Sequence, residues 1–458
     1  MKSRIITSIF LLLLLPQSGF CQDLLVSENG RYLEHRDGKP FFYLGDTAWE
    51  LFHRLSLREA KQYLHDRKDK GFTVIQAVIL AQLDGLTVPN ANGDLPLHNG
   101  DPAQPQENYF GHVDAIVHVA DSLGLYIGML PTWGSYWSST NGDEKIFTPS
   151  SAGSFGSFLG ARYRDQRIIW ILGGDENINS DSERAIVEAM ATGLKLGDQG
   201  AHLMTFHPRG PGRSSDYFHD ATWLDFHMFQ SSHASHDHDN GLYAEHDYQL
   251  TPVKPTLDGE PRYELIPVGF YFQGANRLDL FDDYDCRQAA YWSILSGSCG
   301  HTYGHNSIWQ MWSSDKAPVL SAVIPWYEAV DHPGAFQMKH LRTLFELRSF
   351  HLLKPTPELV LRTLSKLPVK ASLAFDQSFA IFYSSSGDSF TVDQSVISGD
   401  KIRSIWYDPR YGIAHSIHTG NTKGIQTYTP PTNGRGHDWI LILEDAGKKM
   451  PLPGDKGN

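Results

Sequence analysis

Two short acidic segments, each at the end of a predicted strand, contain the side chains best suited to chemistry. The first follows the apolar run 168–172 and two glycines; its residues are Asp175, Glu176 and Asn177. The second, 255–261, contains Glu260. A continuous apolar run is typical of a parallel strand buried on both faces, and (β/α)8 barrels carry catalytic groups at the carboxyl ends of such strands. Two carboxyl groups at two strand ends suit proton transfer and nucleophilic attack on a glycosidic bond.

Each segment also has a purely structural interpretation. Acidic residues favour helix N-termini, so 175–177 could simply begin a helix. The dipeptide 258–259 is Asp-Gly, which is typical of a surface turn and would leave Glu260 without a chemical role. The two glycines favour the catalytic interpretation of the first segment, because they would let a ligand approach the backbone closely. The pair also matters more than either member, since a glycosidase needs one protonated and one ionised carboxyl group.

Strands and helices alternate along the first three quarters of the chain. One helix shows both ends in the sequence, because Ser56 and Glu59 form a capping box and Gly71 is a typical stop. The strands are predicted at 41–46, 73–80, 125–130, 168–172, 203–206, 224–228, 254–257 and 300–303. This number and order predict an α/β fold of the (β/α)8 TIM barrel type, closed by helical patterns over 317–353.

The predicted barrel strands end in polar or aromatic residues. At the eight ends lie Asp46, Gln76, Trp133, Asp175, His207, His227, Glu260 and His305. Any one of them alone carries little weight, since polar residues are common where a strand meets a loop. Their recurrence predicts a shared cleft at the carboxyl face of the barrel.

The sequence changes character after the Pro-rich break at 354–357. Short apolar runs then alternate with turns rich in Gly, Asp, Asn and Pro, which is typical of antiparallel strands. These runs are 372–375, 379–384, 390–392, 401–407 and 439–444. We therefore predict a signal peptide at 1–22, the barrel at 23–355 and a smaller C-terminal antiparallel β-sandwich at 356–458.

The N-terminus has the pattern of an export signal. Lys2 and Arg4 precede the apolar stretch 5–15, which is too short to span a membrane. The predicted location is periplasmic, cell-surface or extracellular; a lipid anchor on Cys21 is an alternative that the preceding Gly-Phe disfavours. No other segment is apolar enough to span a membrane, and the net charge of −13 argues against a nucleic-acid-binding face.

Metal and cofactor chemistry have weak support in this sequence. The segment 233–247, called here the His/Asp-rich segment, offers metal-ligand types, but a solvated insertion at the cleft mouth is the simpler interpretation. The zinc-protease, serine-hydrolase, phosphate-loop and dinucleotide motifs are absent from the sequence, so we predict neither a metal nor a cofactor. Cys286 and Cys299 form either a disulfide or two buried thiols, and the thiols are the simpler reading.

Three segments resemble the apiosidase-like glycoside hydrolases of family 140. They are 43–50, 170–177 and 258–264. The segment 439–444 resembles the end of the β-domain that accompanies this family, a domain named for collagen binding. The resemblance covers essentially all of the chain after the predicted signal peptide.

The resemblance implies a retaining (β/α)8 glycosidase that cleaves the apiose–galacturonic acid linkage of rhamnogalacturonan II, a plant pectin. By position, Glu260 would be the nucleophile and Asp175 the general acid/base. Related barrels usually carry Asn-Glu at the fourth strand end, whereas this chain carries Asp-Glu-Asn, so Glu176 is a rival for the acid/base role.

Strand-end position also predicts the residues that contact the substrate. They are Asp46, Trp133, Glu176, Asn177, His207, His227, Gln230, Tyr303 and His305. In this interpretation Trp133 supplies a face for stacking on a sugar ring and the others supply hydrogen bonds. The same barrel acting on another glycan and a non-catalytic carbohydrate- or matrix-binding protein are the alternatives, because one fold hosts many functions.

Overall fold

A small antiparallel sheet opens the part of the chain that the computed structural model describes, namely residues 23–139, 145–421 and 424–454. Its strands are β1 (Leu24–Val26), β2 (Leu33–His35) and β3 (Pro40–Phe41). Leu24, Leu33 and Phe41 pack against the barrel interior, so this sheet covers the face opposite the strand ends of interest. The predicted signal peptide at 1–22, with Cys21, lies outside the described residues.

Eight parallel strands form a closed barrel, as the sequence predicts. They are β4 (Tyr43–Thr47), β5 (Val74–Leu80), β6 (Tyr126–Thr132), β7 (Ile168–Gly173), β8 (Met204–His207), β10 (His227–Gln230), β11 (Thr256–Asp258) and β12 (Gly300–Tyr303), with β9 (Gly212–Arg213) antiparallel to β10. Strand β12 pairs with β4. The ring closes between β8 and β10, where the Asp225 N–H donates to the Met204 carbonyl at 2.8 Å.

Helices and loops surround these strands. The helices are α1 (Leu51–Arg54), α2 (Leu57–Asp69), α3 (Glu107–Ser122), α4 (Pro149–Tyr163), α5 (Asp181–Asp198), α6 (Ser215–Phe218), α7 (Gly241–Tyr248), α8 (Asp283–Leu295), α9 (Asn306–Trp309), α10 (Trp326–Ala329) and α11 (Pro333–Leu347). The capping box at Ser56 and Glu59 is confirmed. The helical pattern predicted from 317 is wrong up to 325, where Pro318 and Pro325 remove backbone donors. No helix in the described ranges is long and apolar enough to cross a bilayer.

Side chains along each barrel strand alternate between the barrel interior and the helix layer. In β7, Ile169 and Ile171 pack inside the barrel, whereas Trp170 and Leu172 pack against the helices. Both faces of β7 are apolar, as is usual for parallel strands covered on both sides. The sequence pattern therefore predicts the strand but does not say which residues face the barrel axis.

The C-terminal region is an antiparallel β-sandwich, also as predicted. Its strands are β13 (Leu353–Pro355), β14 (Val360–Thr363), β15 (Val369–Ala374), β16 (Phe379–Ser384), β17 (Phe390–Asp393), β18 (Lys401–Asp408), β19 (Ile413–Asn421), β20 (Ile425–Tyr428) and β21 (Trp439–Asp445). A six-stranded sheet, β13-β15-β16-β21-β18-β19, packs on a three-stranded sheet, β14-β17-β20, around an apolar core. Because β13 pairs with β15, the C-terminal sheet already begins at Leu353.

The other face of the six-stranded sheet packs on barrel helices α8 and α11. Residues of both domains share one buried apolar cluster, in which Tyr291 stacks on Tyr383 with ring centroids 4.9 Å apart. Arg287 of α8 also makes a buried ion pair with Asp438, 2.7 Å between Nη2 and Oδ1. The two domains are therefore joined by a continuous core.

Candidate active site

Glu260 lies two residues beyond the end of β11 and contacts two buried histidines. Its Oε1 lies 3.2 Å from His233 Nε2, and its Oε2 lies 3.1 Å from His207 Nε2. The glutamate itself is only 7 % exposed. The turn that carries it is supported from inside the barrel, where Gln76 Nε2 donates to the Gly259 carbonyl at 3.0 Å.

The two histidines decide the charge of Glu260. Burial alone would raise the pKa of this carboxyl group, but the interactions with His207 and His233 outweigh burial and lower the pKa below its ordinary value. Glu260 is therefore held as a carboxylate. An ionised carboxylate in a partly dry site is the form that a nucleophile needs.

His207 connects this carboxylate to the other acidic segment. Its Nδ1 accepts a hydrogen bond from the Asp175 N–H at 3.2 Å. An imidazole nitrogen that accepts has no proton of its own, so the other nitrogen, Nε2, carries the proton that faces Glu260. The ring is held edge-on against Trp49, with centroids 5.5 Å apart.

Asp175 sits on a strained piece of backbone. Its φ is +61°, and Gly173 and Gly174 before it also have positive φ. A Cβ on Gly173 would lie 2.2 Å from the His207 carbonyl oxygen, and one on Gly174 would lie 2.9 Å from the Gly134 nitrogen. The glycines are therefore needed for close approach of the protein's own backbone, not of a ligand as the sequence suggested. Strain of this kind is common at functional sites.

The electrostatics of Asp175 are the opposite of those of Glu260. Burial raises the pKa of Asp175, and the negative charge of Glu260 raises it further. One carboxyl group is thus pushed toward the protonated form while the other is held ionised. Two carboxyl groups whose pKa values are driven apart are the arrangement expected of a general acid and a nucleophile.

The two neighbours of Asp175 have supporting positions. Glu176 is buried against Gly134, where an added Cβ would come within 2.5 Å of the Glu176 Cγ. Asn177 Oδ1 accepts a hydrogen bond from the Arg209 N–H at 3.0 Å and so ties this segment to the loop after β8. After burial, repulsion from Glu260 is the largest cause of the raised pKa of Asp175, so Asp175 is electrostatically linked to Glu260.

Two further predicted contacts lie on the same side. Trp133 is buried and packs on Trp49, with ring centroids 5.6 Å apart, and Trp49 in turn contacts His207. Gln230, at the end of β10, is buried beside Gly210, and its Oε1 finds no hydrogen-bond partner among the described residues.

Four predicted substrate contacts face the helix layer instead, which corrects the sequence interpretation. Asp46 accepts hydrogen bonds from Tyr63 and Arg67 of α2, and the Tyr303 hydroxyl donates to Glu264 at 2.7 Å. These two residues are partners in the β4–β12 ladder and so share a face of the sheet.

The other two corrected residues are histidines. His227 stacks on His219, with 3.1 Å between His227 Nε2 and His219 Nδ1. His305 caps α9 through its Nδ1 and contacts His332 through its Nε2. Burial lowers the pKa of both His227 and His305, so both are neutral structural groups.

His233 is the site residue that the sequence interpretation missed. It belongs to the His/Asp-rich segment, which was expected to be solvated, yet it is 3 % exposed and contacts Glu260. Its ring packs against Tyr263 at 4.7 Å, and the charge of Glu260 helps burial to raise the pKa of Tyr263. No sequence signal distinguishes His233 from the other histidines of the segment.

Several other polar groups of the His/Asp-rich segment are bonded within the protein. His236, for example, lies between Asp285 and Asp279, at 3.0 Å from an oxygen of each. Within the described ranges, no group of three or more His, Cys, Asp and Glu side chains is arranged to hold a metal ion. Cys286 and Cys299 are free, buried thiols, as favoured from the sequence.

The family models match the two domains separately. Residues 27–351 match the model described as "Apiosidase-like, catalytic domain". The chain belongs to the apiosidase-like glycoside hydrolases. Residues 355–444 match the model described as "Putative collagen-binding domain of a collagenase". Among curated proteins, none matches the sequence.

Solved structures of glycoside hydrolases share the whole architecture. One, described as a glycoside hydrolase, is 35% identical with a TM-score of 0.86, covering 94% of this chain and 98% of its own. Another, a family 5 glycoside hydrolase from Bacteroides vulgatus, is 32% identical with a TM-score of 0.85, covering 94% and 95%. The family and these relatives make this apiosidase-like protein a glycosidase with a carbohydrate substrate.

Proposed function

We propose that this glycosidase is a retaining apiosidase that hydrolyses the apiose–galacturonic acid linkage of plant rhamnogalacturonan II. The observation that carries the proposal is the pair Asp175 and Glu260, whose pKa values are shifted in opposite directions across one histidine, His207. The match to the apiosidase-like family model supports the choice of apiose as the sugar released.

The mechanism uses these two residues in two steps. The Glu260 carboxylate attacks the anomeric carbon and forms a covalent glycosyl ester, while Asp175 donates its proton to the glycosidic oxygen of the leaving sugar. Asp175, now ionised, then takes a proton from water as the water attacks the anomeric carbon and Glu260 leaves as a carboxylate. The two inversions give overall retention of configuration.

Arg209 supports an acidic sugar on the leaving-group side. Asn177 binds the Arg209 backbone beside the segment that carries Asp175. The Arg209 side chain is exposed and makes no hydrogen bond or ion pair with the described residues, and its charge lowers the pKa of Asp175. Because the general acid protonates the leaving sugar, a cation beside it suits the carboxylate of a galacturonic acid in that position.

Exposed aromatic rings near the site suit a glycan. Tyr271 and Phe272 are 45% and 56% exposed, with ring centroids 4.6 Å apart. The Tyr271 hydroxyl lies 2.5 Å from Ser232 Oγ, next to His233. Aromatic rings held in this way offer apolar faces for sugar rings that extend from the cleft.

We also propose that the protein is exported and meets its polysaccharide in the periplasm or at the cell surface. The support is the N-terminal pattern of Lys2, Arg4 and the apolar stretch 5–15. Fractionation of cells that express the full-length chain tests this, and a mature N-terminus near position 22 is the expected result.

Product analysis by chromatography and mass spectrometry tests the activity. The mature protein and its Glu260→Gln variant are incubated with rhamnogalacturonan II trimmed to expose apiose–galacturonate links. Release of apiose-terminated side chains by the wild type alone supports the proposal, and NMR of the first-formed anomer tests retention. If neither the wild type nor the variant releases product from rhamnogalacturonan II while the wild type cleaves another glycan, the proposed apiose–galacturonate substrate is wrong. The assignment as a glycosidase would then stand.

The charge of the leaving sugar is tested with methyl-esterified galacturonate. Esterification should lower kcat/KM of the wild type. In Arg209→Gln, the ratio of kcat/KM for the free acid to kcat/KM for the methyl ester should move toward one. Arg213→Gln is the matched control, because Arg213 is tied to Asp216 at 2.9 Å. An unchanged ratio in Arg209→Gln would contradict recognition of the carboxylate by Arg209.

A further inference from the structure

We propose that the C-terminal β-domain positions His233 against Glu260, by holding the His/Asp-rich segment through Arg435 and Lys370. The inference rests on the proposed function, because it concerns the surroundings of the proposed nucleophile. It makes the C-terminal domain part of the catalytic apparatus of the barrel, in addition to any binding role of its own.

His233 lies in an irregular stretch whose two ends are fixed to one carboxylate. Ser231 Oγ donates to Asp258 Oδ2 at 2.7 Å, and Asn240 Nδ2 donates to the same oxygen at 2.9 Å. Asp258 is fully buried at the end of β11. Between these two anchors the stretch has neither helix nor strand. His233 is held there by barrel contacts, among them a hydrogen bond of 2.7 Å from the Gly269 N–H to its carbonyl, and by the contacts of residues 234–239 on its C-terminal side.

Arg435 of the C-terminal domain supplies one of these contacts through a short relay. Its Nη2 lies 2.8 Å from Asp285 Oδ2, and Asp285 Oδ1 lies 3.0 Å from His236 Nδ1. Asp285 is fully buried. The barrel residue Arg262 fixes the same point from the other side, because its Nη1 donates to the His236 carbonyl. His236 is three residues from His233 in the sequence. The Arg435–Asp285–His236 contacts therefore fix the backbone close to the histidine that contacts Glu260.

Lys370, on β15, supplies a second contact. Its Nζ lies 2.9 Å from Asp239 Oδ2 and 2.9 Å from Glu245 Oε1, both in the His/Asp-rich segment. Lys370 is only 6 % exposed. Separating a largely buried ammonium group from its carboxylates would leave an unpaired buried charge, which is strongly unfavourable. This contact therefore resists displacement of the segment.

Other contacts between the two domains leave the His/Asp-rich segment untouched. The shared apolar core and the Arg287–Asp438 ion pair join α8 and α11 to the six-stranded sheet without touching the His/Asp-rich segment. Lys370 instead contacts that segment directly, and Arg435 reaches it through Asp285 while also pairing with Asp282, the N-cap of α8. The Arg287–Asp438 ion pair therefore offers a control, because it also joins the two domains but does not contact the His/Asp-rich segment.

The experiment compares full-length Arg435→Gln, Lys370→Gln and the double variant with the wild type. In the double variant we expect kcat to fall about tenfold with KM nearly unchanged, because a misplaced histidine affects the reacting carboxylate more than substrate binding. Hydrogen–deuterium exchange of residues 231–240 should become faster. The acid limb of the kcat/KM profile should move to higher pH, since Glu260 loses the stabilising bond from His233. Arg435→Lys keeps the positive charge, so its kcat and its acid limb should lie closer to the wild-type values than those of Arg435→Gln.

Asp438→Asn is the matched control. It weakens a buried ion pair across the same boundary and should lower Tm, while kcat, the acid limb and exchange at 231–240 stay as in the wild type. Wild-type exchange and kcat in the folded double variant would overturn the inference. Exchange needs no substrate, so it decides this point even if the wild type cleaves no apiose linkage, which would contradict the proposed function alone.

Discussion

The polar residues at the ends of the barrel strands fall into two groups with different surroundings. His207, Gln230 and Glu260 lie on the side of the barrel axis, where His207 contacts Glu260 and also binds the backbone of Asp175. Asp46 and Tyr303 face the helix layer, where each is bonded to a structural partner. Both groups are polar, buried and at strand ends.

The difference teaches that strand-end position alone does not identify a site residue. Side chains alternate along a strand, so a shift of one residue exchanges the axis for the helix layer. On the axis side, the charge of Glu260 raises the pKa of Asp175, whereas the outward-facing groups anchor helices to strands. We therefore expect substitutions in the first group to change catalysis and those in the second to change stability.

Glu260→Gln should show the largest effect. The amide keeps the shape of the side chain but cannot form the glycosyl ester, so kcat should fall by about 10³-fold or more. Thermal unfolding by circular dichroism should show that the variant folds. Turnover near the wild-type rate would remove Glu260 from the nucleophile role.

Asp175→Asn should come next, and it separates Asp175 from Glu176. Loss of the general acid should lower kcat by about 10²- to 10⁴-fold on a sugar leaving group. The loss should be smaller on an aryl glycoside, whose leaving group needs no proton. Glu176→Gln, measured in the same assays, should retain more activity than Asp175→Asn, and the reverse order would assign the acid to Glu176.

The pH dependence should be bell-shaped and wider than two ordinary carboxyl groups would allow. Glu260 must be ionised and its pKa is lowered, so activity is lost only as pH falls below the usual range for glutamate. Asp175 must be protonated and its pKa is raised, so activity persists until pH rises past the usual range for aspartate.

The histidines next to Glu260 sharpen this prediction. The titratable groups that face it are His207, His233, Asp175 and Tyr263. His233→Ala removes one donor, so the pKa of Glu260 should rise and the acid limb should move up by about one pH unit. A pH–rate profile with an unmoved acid limb would show that His233 does not set the charge of Glu260.

Tyr303→Phe should have the smallest effect, and it should fall on stability. The variant loses the hydrogen bond from Tyr303 to Glu264. Glu264 still accepts a hydrogen bond from the Gly334 N–H at 3.1 Å. The free energy of unfolding should drop by about 1 kcal/mol with kcat unchanged, as measured by urea denaturation and steady-state kinetics. A loss of kcat without a loss of stability would place Tyr303 in the site after all.

The parts of the fold that the sequence predicts correctly depend on local physics. Barrel strands such as β5 and β7 appear as apolar runs, and the capping box at Ser56 marks the start of α2. Strands β19 and β20 were missed because their residues are largely polar or exposed and show no apolar run. Asp175 and Glu260 were found because acidic residues follow strands at both places.

What the sequence by itself determined is the order of elements and the class of fold, and it also pointed to the two carboxyl groups of the proposed site. These follow from patterns within one strand or one turn. Only the tertiary structure decided that Asp46, His227 and Tyr303 face the helices, because strands buried on both faces do not reveal their orientation. Only the tertiary structure brought His233 to Glu260 and Arg435 to Asp285, because contacts between residues distant in sequence depend on how the elements pack.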